Sequence, residues 1–187
     1  LCASGTPRQR RSTRPSTRTR ISFEVAFRQL GGQTMFITDK EIGMGTRESV
    51  HDVAKVLSRM CDGIMIRWFD HDEVVQLAKH ATVPVINGLT NEHHPCQILA
   101  DIYTYIERRG DIRAKTVAWI GDSNNACNTW LQAAEVLDFQ MRVSTPPGYQ
   151  VGPERANLHG TGHFQRFADP MEAASGADLV TTDVWTS

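Results

Sequence analysis

Phe23, Ala26, Phe27 and Leu30 stand at i, i+3, i+4 and i+7, the spacing of one apolar face on a helix. Ser16 or Thr17 can cap its start, and Gly31-Gly32 stops it. A short strand at 34–38 and a loop holding Gly43 and Gly45 lead to a second helical face, Val50, Val53, Ala54 and Leu57. The rhythm then shortens: 63–67 reads as a buried strand, 72–80 as a helix and 83–87 as another strand.

Pro95 occupies a first helical turn, where its missing N–H costs nothing. From there Ile98, Leu99, Ile102, Tyr103 and Ile106 carry an apolar face to a stop at Gly110. A second alternation follows: strand 116–120, helix 126–137, strand 141–144, the turn Pro146-Pro147-Gly148, strand 163–168, helix 170–175 and strand 178–182. Strands that alternate with helices form parallel sheets covered on both faces. The expected fold is therefore α/β, with two parallel-sheet domains at 16–108 and 109–187 joined by the helix that starts at Pro95, each with helices on both faces.

Residues 1–15 break this pattern. They hold Arg8, Arg10, Arg11 and Arg14, no acid and little apolar content, a composition that stays solvated. A disordered leader, a transit peptide and a nucleic-acid arm all fit it, and the solvated leader is the plainest. The 187 residues as a whole are 40% hydrophobic with a net charge of −1, so neither nucleic acid nor a membrane surface is an expected partner. No apolar run is long enough to span a bilayer. Cys2, Cys61, Cys96 and Cys127 form no C-x-x-C pair, which suits reduced thiols and a cytoplasmic location. His93, His94 and Cys96 have no second ligand cluster to join, and Pro95 stiffens their middle, so no metal is expected.

The candidate chemistry sits at helix starts and strand ends. Ser16-Thr17-Arg18-Thr19-Arg20 combines free backbone N–H groups, the positive end of a helix dipole, hydroxyls and guanidinium, a set suited to phosphate. Taken alone it reads equally well as a capped helix with solvated arginines. Arg67 ends a strand, at the edge where α/β proteins hold ligands. In His94-Pro95-Cys96-Gln97 an imidazole and an amide can donate to a carbonyl oxygen that gains charge. Gly121-Asp122-Ser123-Asn124-Asn125 follows a strand but departs from G-x-G-x-x-G, so a dinucleotide is poorly supported and no cofactor is expected. Asp183, after the last strand, could hold an ammonium group.

In this order and spacing, Ser16-Thr17-Arg18-Thr19-Arg20, Arg67, His94-Pro95-Cys96-Gln97, Gly121-Asp122 with Asn124-Asn125, and Asp183-Val184-Trp185-Thr186-Ser187 resemble the aspartate/ornithine carbamoyltransferase family. Cys96 and the segment from Asp183 to Ser187 look like its ornithine branch. The resemblance covers about 16–187. It implies that Ser16, Thr17, Arg18 and Thr19 hold the phosphate of carbamoyl phosphate, with Arg67, His94 and Gln97 at its phosphate or carbonyl. It assigns Asn125, Asp183 and Ser187 to the carboxylate and α-amine of L-ornithine, and Arg67, His94 and Thr19 to the charge that develops on the carbonyl. The product would be L-citrulline, as a step of arginine biosynthesis or the urea cycle, and the assembly a homotrimer. Aspartate, putrescine or acetylornithine as acceptor, or carbamoyl phosphate binding without turnover, are the alternatives.

Three departures from the family pattern stand out. The first strand is expected to be absent or replaced, because Arg-rich residues stand where the family has an apolar strand. Gly43 stands where many members carry a loop glutamine that reaches a neighbouring subunit's site. The sequence stops at Ser187, ahead of an expected H-C-L-P segment and closing helix, so it reads as incomplete relative to the family at both ends.

Overall fold

The computed structural model describes residues 2–5, 17–150 and 162–183. It divides into two compact units, Leu1–Asn91 and Glu92–Ser187.

The first unit runs β1 (Cys2–Gly5), α1 (Thr17–Gln29), α2 (Asp39–Ile42), α3 (Val50–Met60), β2 (Ile64–Trp68), α4 (His71–His80) and β3 (Val85–Leu89). Its sheet has the order β1-β2-β3, all parallel. The apolar run of β2 is buried on both faces, as a central parallel strand requires. Ile64, Ile66 and Trp68 point into a core with Val53, Ala54 and Leu57 of α3 and Val74 and Leu77 of α4. Both helices start on side-chain caps: Ser49 accepts from the Asp52 N–H, and Asp70 from the Glu73 N–H.

Part of the segment expected to be a solvated leader forms a strand. Cys2–Gly5 pairs in parallel with β2, matching Ser4 to Arg67 and Gly5 to Trp68. A short edge strand needs backbone partners more than apolar side chains, so composition concealed it. Residues 6–16 lie outside the described residues. Two further differences sit between α1 and α3. The segment 34–38 is irregular apart from a bridge position at Phe36, and the expected loop contains α2. The signal for α2 was a capping box: Glu41 accepts from the Thr38 N–H at 2.7 Å. Gly43 then ends α2 in the left-handed region, φ 61°. A Cβ there would meet Arg47 Cβ at 2.8 Å, so the local turn itself selects glycine.

The second unit runs α5 (Pro95–Arg109), β4 (Thr116–Ile120), α6 (Asn125–Leu137), β5 (Gln140–Ser144), β6 (Phe164–Phe167), α7 (Pro170–Ala174) and β7 (Leu179–Thr181). Its sheet, β6-β5-β4-β7, is again all parallel. Val117, Trp119, Met141 and Val143 face a core with Ile98, Ile102 and Tyr105 of α5 and Trp130 and Leu131 of α6. That shared core explains why the division by packing falls after Asn91, ahead of the expected boundary at 108/109. On α5 the buried stripe is Ile98, Ile102 and Tyr105, whereas Leu99, Tyr103 and Ile106 are exposed. Among the described residues no helix is long and apolar enough to cross a membrane.

Candidate active-site residues

The sequence-derived residues fall on both units, at carboxyl ends of strands and amino ends of helices. Ser16 and Ser187 lie outside the described residues. In the first unit Thr17, Arg18 and Thr19 form the opening turn of α1, with Thr19 half-buried. Arg20 is taken up locally: its guanidinium lies 3.8 Å from the Phe36 ring centroid and 3.9 Å from Glu24. Arg67 is half-buried near the end of β2.

The backbone beneath Arg67 is unusual. β2 pairs Ile66 with Asn87 and Arg67 with Leu89, so a bulge leaves Gly88 opposite no partner. A Cβ on Gly88 would meet Met65 Sδ at 2.6 Å and Arg67 Cγ at 2.9 Å. Glycine therefore lets the arginine stem lie across β3. Its signal in the sequence was a glycine inside a strand, Asn87-Gly88-Leu89, which the strand expected at 83–87 left out. Next to it Trp68 donates its indole N–H to Glu73, and His71 contacts buried Thr90 at 3.2 Å, which ties the ends of β2 and β3 together.

In the second unit His94 is the cap residue of α5, and Gln97 lies on its first turn. The His94 N–H donates to Thr129 Oγ1 at 2.8 Å, and Thr129 donates to the Asn125 carbonyl at 2.7 Å. Thr129 thus joins two residues that the sequence had singled out separately. Asn128 donates to the Glu92 carbonyl at 3.1 Å, fixing the loop that leads to His94. Both are buried polar residues on an otherwise apolar helix face. That irregularity in the periodicity was the available signal.

Gln97 donates to Asp101 at 2.8 Å. Burial, and then the charge of Asp183, push the Asp101 carboxyl above its ordinary range, while the Gln97 bond opposes them. Asp183 follows β7 and accepts from Asn124 Nδ2 at 2.8 Å. Asn124, next to the Asn125 that the resemblance assigns to ornithine, thus holds Asp183. Asn124 also caps α6, its Oδ1 accepting from the Ala126 and Cys127 N–H groups at 3.0 and 3.1 Å. The Cys127 thiol is pushed up to about 12 by burial and by the charge of Asp122, so it stays protonated and unreactive.

A cavity of about 260 Å³ in the first unit lies elsewhere, lined by Phe23 and Phe27 of α1 with Gly63, Ile64 and Ile86. It opens near the amino end of β2, away from the strand edge that carries Arg67. Its lining is mostly apolar but also includes Arg20, Glu24, Thr34 and Asp62.

Two parallel-sheet units with polar residues gathered at strand ends and helix starts define a class of α/β ligand-binding proteins. Residues 13–107 match the model for the carbamoyl phosphate-binding domain of aspartate/ornithine carbamoyltransferases, and 113–187 that for their aspartate/ornithine-binding domain. The chain belongs to the aspartate/ornithine carbamoyltransferase family. It is 66% identical over 172 residues to a protein of Aromatoleum aromaticum named ornithine carbamoyltransferase, covering 92% of this chain and 56% of that one. A Methylobacillus flagellatus protein of the same name matches with the same identity and coverage. The crystal structure of ornithine carbamoyltransferase from Burkholderia thailandensis superposes with a TM-score of 0.89 at 51% identity, over 98% of this chain and 61% of its own. The enzyme from Pyrococcus furiosus gives 0.85 at 40% identity, over 100% and 59%. The chain thus spans a little over half the length of these curated relatives.

Proposed function

We propose that this chain serves the transfer of a carbamoyl group from carbamoyl phosphate to the δ-amine of L-ornithine, giving L-citrulline and phosphate. The observation that carries the reading is 66% identity, over nearly the whole chain, to a protein named for that activity. Thr17, Arg18 and Thr19, with Ser16, offer N–H, hydroxyl and guanidinium donors to the phosphate. Carbamoyl phosphate already carries an activated carbonyl, so no covalent nucleophile is required. The protein has to orient the amine and stabilise charge. Arg67, His94 and Thr19 meet the charge on the carbonyl oxygen, and Gln97 holds the carbamoyl group. Asn125, Asp183 and Ser187 hold the carboxylate and α-ammonium of ornithine while its neutral δ-amine attacks and phosphate departs. In this reading the protein is cytoplasmic, forms a homotrimer and acts in arginine biosynthesis or the urea cycle.

A second reading is carbamoyl phosphate binding without turnover, and the match of residues 13–107 to a carbamoyl phosphate-binding domain supports the binding half of it. One experiment separates the two. Labelled carbamoyl phosphate is supplied with ornithine, aspartate, putrescine or acetylornithine in turn, and product and bound phosphate are measured. Label in citrulline supports the first reading and binding without product the second; label in another carbamoylated amine overturns the choice of ornithine.

A further inference from the structure

The surroundings of Asp183 assign a role to a residue that the family resemblance includes in its motif without giving it one. The chain leaves β4, builds β5 and β6 on one side of it and returns to place β7 on the other. The crevice between the carboxyl ends of β4 and β7 is therefore a topological switch point, where open α/β sheets bind ligands. Asn124 stands after β4, and Asp183 after β7, so the 2.8 Å bond between them bridges this crevice.

The orientation of the Asn124 amide follows from its bonds. Its Oδ1 accepts from two backbone N–H groups, Ala126 and Cys127, which the NH2 end could not do. The NH2 group must then face Asp122 Oδ1 at 3.3 Å and Asp183 Oδ2 at 2.8 Å. Backbone capping thus fixes a donor toward Oδ2, one of the two carboxylate oxygens of Asp183. The neighbouring carboxylate of Asp101 feels the charge of Asp183, so a cation at this point relieves two like charges.

We propose that Asn124 is a positioning residue for the amino-acid substrate, holding Asp183 through Oδ2 so that its carboxylate meets the α-ammonium without a rotamer search. The inference rests on the reading of Asp183 as the ammonium-binding group. Serine caps a helix about as well as asparagine but carries no second donor, so Asn124→Ser separates the two jobs.

The test is calorimetric titration of L-ornithine into the 187-residue chain in phosphate buffer, for the wild type, Asn124→Ser, Asp183→Asn and the double variant. Asn124→Ser should bind about ten-fold more weakly, the scale of a lost hydrogen bond to a charged group, while its melting temperature holds. Because Asn124 acts through Asp183, the double variant should bind no more weakly than Asp183→Asn. Wild-type affinity in Asn124→Ser, or additive losses in the double variant, overturns the role of Asn124, while a loss in Asp183→Asn leaves the site reading standing. Failure of the wild type to bind L-ornithine, or an Asp183→Asn variant that binds normally, overturns the site reading and this inference with it. Should the serine variant fail to fold, Asn124→Asp keeps the capping oxygen, removes the donor and is read against the same outcomes.

Discussion

Helices α1 and α6 are each thirteen residues long, and each begins at a polar motif that marks the family, yet they are held in opposite ways. α6 buries seven residues, from Ala126 to Ala134, and is capped by a side chain that accepts two N–H groups. α1 buries none. Its apolar face, Phe23, Ala26, Phe27 and Leu30, lines an open cavity or faces solvent, with Leu30 at 87% exposure. The same periodicity therefore reports a helix in both places and a packed core in one. The polar start of α6 is positioned by side chains that reach the core, whereas that of α1 has backbone amides and a dipole to offer.

The contrast can be broken by truncation. Trp130 is fully buried and meets Phe139 edge to face at 6.0 Å. Trp130→Ala should cost about 3–5 kcal/mol, read as a fall in the urea midpoint. Phe27 is 44% exposed, so Phe27→Ala should cost less than about 1 kcal/mol. Equal losses would mean that α1 is held by packing as firm as that of α6, and the comparison would fail.

Arg67 sharpens the comparison on the chemical side. Arg67→Ala should lower turnover by roughly 2.7–4 kcal/mol of transition-state stabilisation, the scale of one lost oxyanion donor. Near-normal rates in that variant would remove Arg67 from the reaction. Gly88→Ala leaves the guanidinium in place but forces a methyl against Met65 Sδ and the Arg67 stem. Its expected cost is about 1–3 kcal/mol of stability, with a rise in the carbamoyl phosphate dissociation constant. A variant that loses stability with unchanged affinity would show that Gly88 serves the sheet alone.

How far the sequence could be read depends on what each residue's partners are. Helix faces such as Val53, Ala54 and Leu57 were legible because burial follows a fixed period. The motif residues were legible as a set because their order matched a family. β1 was not, since edge pairing is a backbone property and Cys2–Gly5 carries no apolar alternation. The exposure of Leu99 and Tyr103 beside buried Tyr105 was not legible either, because the apolar stripe on α5 is wider than the face its core accepts. Thr129, Gly88 and the contact made by Asn124 escaped for a third reason. Each involves a residue distant in sequence or across a strand pair, which spacing along one element does not reveal.

The smallest effect concerns Asp101 and turns on the sign of a titration. Burial and the charge of Asp183 raise its carboxyl above the ordinary value of 3.8, so in the window just above that value the folded chain holds a proton that the unfolded chain has released. Stability then falls as pH rises through the window, and the penalty is complete above it. Asp101→Asn removes the charge while keeping an acceptor for Gln97. Its melting temperature should exceed the wild type at neutral pH, by an amount worth under about 1 kcal/mol once solvent screening is allowed for, and the two should converge as pH falls below the window. A gain that stays constant across pH would instead come from packing. It would remove the electrostatic link between Asp101 on α5 and Asp183 at the end of β7.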